Sequence, residues 1–535
     1  MRGLKTPLLA CLVLVACPGD DTGVGETEAT GSSSSSSSST TTGMDTTADD
    51  TAGSGSAGSS GGSTSTGMAD SSSTGPGCVP GEEGCVCDER DACEDGLACV
   101  ADECVVTLCG NGRLDDDEEC DDSNEFDGDG CDNDCTVSAG AREVVAGNEH
   151  VCALFHTGQM KCWGNFTSGR LGYLEQGEDV GDDETPADMG FVDVGGPVQQ
   201  MALGSDFTCV LLESDEIKCW GNGQHGRLGQ GDQADLGSDQ VPADIMPIDV
   251  GGTPVQISAG DQHACAVLVT GEVRCWGRND HGQLGNPAFD MIGDDEAPAE
   301  APVVNVGMGV NVEMIAAGGD HTCAILGGGE VLCWGRDNNG QLGTPESNES
   351  IGDNEDPGTS LPVNLAEQAV LIAARYDHTC VAYTGTNDIQ CWGSGGSGRL
   401  GYGNTDNVGD DEDVVLVPPV DLGMGAISHI GTGASHTCIQ AGLETFCWGE
   451  GDNGRLGYGD TTDLFEPAGM AVNLALPEPP RGVTSGEAFT CGVTNDSAVK
   501  CWGRNNRGQL GYGALWDTDL GVAEPIDSVG PVALE

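Results

Sequence analysis

Short bursts of alternating apolar and polar residues recur through the last three quarters of the chain. In the first, HVCALF and MKCWG flank the turn HTGQ between His150 and Gly164. Period-two alternation on both sides of a short turn predicts a β-hairpin. A further apolar stretch precedes each hairpin, VVAG in the first copy and VQISAG in the third. A glycine-rich loop ending GRLG or GQLG follows it, then an acidic variable segment, then a fourth stretch such as FVDVGG or MPIDVGG. No sustained 3.6-residue apolar period predicts a major helix. The unit returns seven times, with tryptophans at Trp163, Trp220, Trp276, Trp334, Trp392, Trp448 and Trp502. Four short strands per unit at this period predict an all-β fold, a seven-bladed β-propeller over residues 138–535.

Upstream the pattern changes three times. Residues 1–16 carry Arg2 and Lys5, then the apolar run Leu8–Val15, too short to span a bilayer and suited to a cleaved leader. Leu14-Val15-Ala16-Cys17 resembles the bacterial lipobox, which implies lipidation at Cys17 and a lipoprotein signal peptide over 1–16. Residues 17–77 are Ser, Thr, Gly and Asp with almost nothing to bury, so a disordered tether is expected. Residues 78–137 hold ten cysteines, from Cys78 to Cys135, and read as a disulfide-rich module.

The repeats contain fourteen cysteines, two per hairpin. Across an antiparallel hairpin, residues at this separation face each other at disulfide distance. The expected pairs are Cys152–Cys162, Cys209–Cys219, Cys265–Cys275, Cys323–Cys333, Cys380–Cys391, Cys438–Cys447 and Cys491–Cys501. An even count in each region fits an oxidising compartment. The formal charge of −69 repels phosphate backbones, which argues against nucleic-acid binding, and attracts cations.

The stretch Cys109–Cys135, CGNG…EECDDSNEFDGDGC…C, resembles the Myxococcus-type cysteine-rich repeat of bacterial surface proteins, with Ser123 where that pattern has glycine. An EF-type loop fits poorly, because Thr136 stands where a bidentate Glu is needed. Two readings stay open: calcium held by Asp121, Asp122, Asp127 and Asp129, or an acidic, solvated loop held by disulfides. In the repeats, VGDDE, IGDDE, IGDNED and VGDDED place Asp182, Asp183, Asp294, Asp295, Asp353, Asp410 and Asp411 after the third strand, hence on one rim. Calcium binding or a negative docking surface is one reading, and turn chemistry with solubility is the other.

HTCAIL…EVLCWGRDNNGQLG resembles the repeat of the regulator of chromosome condensation family. The resemblance covers about three quarters of the chain and implies seven blades. The cysteine pairs resemble the extracellular branch of such propellers. His150, His263, His321, His378 and His436 precede the first cysteine by two, and Phe207 and Phe489 take that place in the other copies, so packing rather than ligation is expected. No nucleophile–base, phosphate-loop or zinc-protease motif occurs. The expected function is an exported, lipid-anchored binding scaffold for a protein or glycan, monomeric, touching a membrane only through lipid, and without cofactor unless calcium binds. Guanine-nucleotide exchange, which the family's nuclear member implies, and an enzyme of unrecognised type are the alternatives. The terminal PIDSVGPVALE and the initial AREVVAG are expected to close the ring within one blade.

Overall fold

The computed structural model describes residues 97–100, 103–106, 120, 131 and 137–535, apart from 175–176, 346–348, 424, 475–477, 516–517 and 524–525. The chain divides into two compact units, Met1–Val106 and Thr107–Glu535. In the first, strands Leu97–Val100 and Glu103–Val106 form an antiparallel hairpin with Cys99 opposite Cys104. In the second, Cys120 is bonded to Cys131 ahead of the repeats. Cys17, Asp121, Asp122, Asp127 and Asp129 lie outside the described residues.

Seven antiparallel sheets follow, each with its strands in chain order. In the first blade they are Ala141–Ala146, His150–Phe155 and Met160–Gly164, and in the seventh Pro480–Ser485, Phe489–Thr494 and Val499–Gly503. First strands line the axis and bond to one another across blades. Arg142 donates to the carbonyls of Val198 and Gln199, and the Gln200 amide bonds both ways with Ile257. No α-helix occurs among the described residues.

Three expectations are corrected by this arrangement. The second strands do not alternate between core and solvent, because every residue of all seven is buried. Each blade lies between two others, so both of its faces are core. The fourth strand is mostly one hydrogen bond rather than a ladder. Val192 N–H donates to Met160 O at 2.9 Å, with counterparts such as Val363 to Val331 and Val532 to Val499 at 2.8 Å. Glycine and proline around this segment limit regular pairing. Finally, the chain ends do not share a blade. The first strand belongs to blade one, whereas Val532 completes blade seven. The two ends meet at the seam, where Ala187 N–H donates to Ala533 O at 3.0 Å and Lys161 Nζ to Leu534 O at 2.8 Å.

All seven predicted cysteine pairs are bonded within their hairpins. The paired cysteines are direct cross-strand neighbours, as Cys152 is of Cys162, with Cα atoms 4.0–4.1 Å apart.

Candidate functional site

Most repeated side chains are committed to holding blades together. Each CWG indole donates to the main-chain carbonyl of the Arg or Gln in the previous blade's G-[RQ]-L-G. Trp220 reaches Arg170 O, Trp276 reaches Arg227 O and Trp334 reaches Gln283 O, each at 3.0 Å. Trp392, Trp448 and Trp502 repeat this on Gln341, Arg399 and Arg455. Trp163 on Gln509 O, at 3.0 Å, closes the ring. All seven indoles are fully buried.

The same carbonyl takes a second bond in five seams. Thr208 Oγ1 donates to Arg170 O at 2.9 Å and lies 3.0 Å from His150 Nε2 of the previous blade. Its one proton is used, so it accepts from Nε2–H, which fixes the histidine tautomer. His263–Thr322, His321–Thr379, His378–Thr437 and His436–Thr490 match it at 2.8–3.0 Å. In the two remaining seams Phe207 is followed by Ala264 in the next blade, and Phe489 by Val151. Where the histidine is lost, the threonine facing it is lost too. Burial keeps the five imidazoles neutral, His263 pushed down to about 3, His321 to about 4, and the others well below their usual value. These histidines are packed, as the sequence suggested.

The arginines of GRLG bond main-chain carbonyls, as Arg170 Nε does to Thr167 O, and Arg399 Nη1 to Ala434 O. The glutamines differ. Gln283 Oε1 accepts from His281 N–H, and its amide donates to the Asp320 carboxylate. What Arg and Gln share at this position is the main-chain carbonyl that accepts the next blade's indole.

The acidic turns stand apart from this frame. The residue that opens each turn pairs with the CWG glycine, as Val180 does with Gly164, Ile292 with Gly277, Ile351 with Gly335 and Val408 with Gly393. The turns therefore occupy the same end of the four blades that carry them. Asp182, Asp183 and Glu184 each offer an oxygen within 4.8 Å of the others, as do Asp294, Asp295 and Glu296, and Asp410, Asp411 and Glu412. Asp353 forms no such triplet, because Asn354 takes the middle place and leaves it with Glu355. Partial burial, a hydrogen bond that the protonated glutamate donates to the preceding Asp and repulsion by both neighbours push Glu184, Glu296 and Glu412 up to about 7. These three glutamates were missed by attention to aspartates, although GDDE spells them at a fixed offset. The glycine that opens the turn is itself structural. Gly181 has φ +99, and a Cβ there would lie 2.3 Å from Gly508 O of the neighbouring blade. Turn geometry explains the glycine, and the first Asp of each triplet accepts one hydrogen bond, Asp182 from Asp183 N–H, Asp294 from Gln233 Nε2 and Asp410 from Asn407 Nδ2.

The same face carries a second feature that sequence reading missed. The turn into the second strand begins with glycine in six blades, where a Cβ would meet the His or Phe ring, at 2.3 Å for Gly147 and 2.0 Å for Gly204. Blade five has Arg375 instead. Its guanidinium crosses the axis to Ala146 O at 3.0 Å and Asn148 Oδ1 at 2.7 Å in blade one. Tyr376 beside it sits at φ +47, an unfavourable conformation for a bulky residue. Burial pushes the Asp261 carboxyl up to about 6, opposed by Arg375 and reinforced by Asp320, Asp377 and Asp206. The signal was one arginine in a column of glycines.

Seven disulfide-closed sheets in a ring, joined by indole-to-carbonyl bonds, define a seven-bladed β-propeller. The RCC1-like domain model matches residues 98–439, and the regulator of chromosome condensation (RCC1) repeat matches 481–509. The chain belongs to the RCC1-like domain family. It is 31% identical to the ultraviolet-B receptor UVR8 of Arabidopsis thaliana, over 72% of this chain and 82% of that protein. Against the regulator of chromosome condensation of Drosophila melanogaster it is 28% identical, over 70% of this chain and 63% of that one. It also matches human E3 ubiquitin-protein ligase HERC2 at 25% identity, but spans only 7% of that protein's length. Among solved structures, yeast RCC1 (Prp20) bound to Kap60 shares the fold with TM-score 0.54 and 18% identity, over 77% of this chain and 90% of that one.

Proposed function

We propose that this protein is an exported, lipid-anchored interaction scaffold that binds a protein or glycan through the acidic face of its propeller. The carrying observation is that the repeated Trp, His and Thr side chains are spent on inter-blade bonds, while three Asp-Asp-Glu triplets recur at one end of three blades, each with three carboxylates within 4.8 Å of one another. Export is supported by the leader-like residues 1–16, by the lipobox-like Leu14–Cys17 and by a disulfide in every blade. The Myxococcus-type resemblance of Cys109–Cys135 supports a surface location. A protein ligand accords with the yeast relative, which was crystallised with Kap60.

Calcium is the cation these triplets suit, because each offers only hard carboxylate oxygens. A divalent ion would offset the repulsion that raises Glu184, Glu296 and Glu412. Nucleotide exchange is disfavoured by the export signals, since an exported chain meets no cytosolic GTPase. The test is capture of surface proteins and glycans by the full-length protein with and without calcium, beside the variant Asp182→Asn, Asp294→Asn, Asp410→Asn. Calcium-dependent capture that the variant loses is expected. Equal capture by both proteins would sink the acidic-face reading.

A further inference from the structure

Six blades keep one spacing between the residue paired with the CWG glycine and the residue bonded to the third strand. The pairs are Val180 and Val192, Leu236 and Ile248, Ile292 and Val304, Ile351 and Val363, Val408 and Val420, and Leu520 and Val532, twelve positions apart each time. Blade six has Leu464 and Val472, only eight apart. Four residues are missing there.

The other blades show what those residues build. Each turns once outside the sheet, at Pro186–Asp188, Pro242–Asp244, Pro357–Thr359, Val414–Leu416 and Ile526–Ser528, with an equivalent turn beginning at Pro298. The first residue of the turn is buried in all six and is proline in four. It plugs the seam to the previous blade. Pro242 Cγ lies 3.0 Å from a Cβ built on Gly172, and Pro357 Cγ stands likewise to Gly285. The next N–H of the turn donates to the previous blade's outer segment, Ala243 to Asp193 O at 2.8 Å, Ala299 to Asp249 O at 2.9 Å and Gly358 to Asn305 O at 2.7 Å.

At blade six the buried plug is gone: Pro467 stands three positions after Leu464 rather than six, is only half-buried, and lines the gap instead of filling it. A cleft of about 450 Å³ opens between blades five and six, lined chiefly by Tyr402, Val420, Leu422, Phe446 and Pro467, with Glu466 as its only acid. Its size falls in the range that holds a short ligand. The main chain at Asp421 corresponds to the acceptors Asp193 and Asp249 in the filled seams.

We propose that this notch is a docking site for a proline-bearing segment of a partner protein, which supplies the turn the chain lacks. The chain's own turns set the shape of the occupant: a buried proline followed by a main-chain N–H aimed at the blade-five edge. Charge complementarity sets its flanks, because Glu466 is exposed at the rim of a chain of net charge −69, so the segment carries Lys or Arg beside the proline. The inference rests on the scaffold reading above but uses a different surface.

The probe is a fluorescent peptide, Lys-Lys-Thr-Pro-Ala-Asp-Met-Lys, built on the blade-one turn and titrated by anisotropy into the full-length protein. A matched peptide with glycine for proline is the control. Saturable binding is expected, weakened about tenfold or more by the glycine peptide, by Glu466→Lys, and by exchanging residues 465–471 for residues 181–191, which restores the twelve-position spacing. Glu466 is exposed, so its variant folds if the exchange does not. No binding to the unaltered protein, equal binding of both peptides, or binding indifferent to both variants would overturn the proposal. The triple Asp→Asn variant at 182, 294 and 410 keeps peptide binding, so failure of the acidic-face reading remains distinguishable.

Discussion

The carbonyl of Arg170 takes protons from Trp220 and Thr208, and Thr208 in turn takes one from His150. Three residues of two blades thus meet at one atom. The chain's two natural replacements, Phe207 with Ala264 and Phe489 with Val151, exchange polar for apolar on both sides at once. Leaving one buried partner unpaired costs about 1–3 kcal/mol, whereas removing both is nearly neutral. Denaturant titration should therefore find His263→Phe and Thr322→Val each destabilising by about 1–3 kcal/mol, and the double variant close to the parent. Additive losses would contradict the pairing. Burial sets the pH response of the same residues. Their folded pKa values lie below the ordinary 6.5, so the unfolded chain takes up protons first. Their contribution is complete above about 6.5 and falls as the pH drops toward 4 and then 3. Glu184, Glu296 and Glu412, raised to about 7, act with the opposite sign. Their contribution is complete below 4.5 and is lost as the pH rises through 7. Calcium binding by these triplets, followed by calorimetry, should strengthen from pH 6 to pH 8 as the glutamates ionise. An affinity flat across that interval would remove them from the site. The packed role of histidine was legible because phenylalanine replaces it. Its partner was not, because it lies one blade away and only the fold brings the two together.

The hairpin is the element that the sequence describes best. Cysteine separation, the CWG end and the intervening turn identify it, and the register of Cys152 opposite Cys162 agrees. Non-reducing peptide mapping should recover all seven in-blade links, and cross-blade links would refute the register. Removing one link with Cys323→Ala and Cys333→Ala should cost roughly 3 kcal/mol in the chain-entropy view. The loss would be read from the denaturation midpoint under oxidising conditions. The outer segment was less legible. Its spelling, as in FVDVGG, resembles a strand, yet glycine and proline leave it one hydrogen bond in most blades, with a two-residue strand only at Val420–Asp421 in blade five. Alternation also misled, because a strand between two neighbouring blades has no solvent side. The shortened segment of blade six was visible in the sequence as a smaller tryptophan spacing. Its consequence, an unplugged seam, needed the other six blades as a reference.

At the scale of the whole molecule, the blade number and family follow from a period, and the order of the ring follows from Trp163 on Gln509. Closure differs from the expected shared blade because each blade is a contiguous stretch of chain, with the two ends meeting at a seam. The acidic face arises because one acidic turn recurs at one end of several blades, so that charge legible as composition becomes charge with a direction. The proposed exported, anchored scaffold would account for the leader-like residues 1–16, the Ser and Thr tract and the disulfides together. The most direct test is the intact mass of the mature protein after fractionation, beside Cys17→Ser. The account predicts a membrane-bound chain beginning at a diacylglycerol-bearing Cys17, with the blade cysteines oxidised, and release from the membrane in the Cys17→Ser variant. A soluble cytosolic chain that retains Met1 and carries reduced cysteines would contradict it.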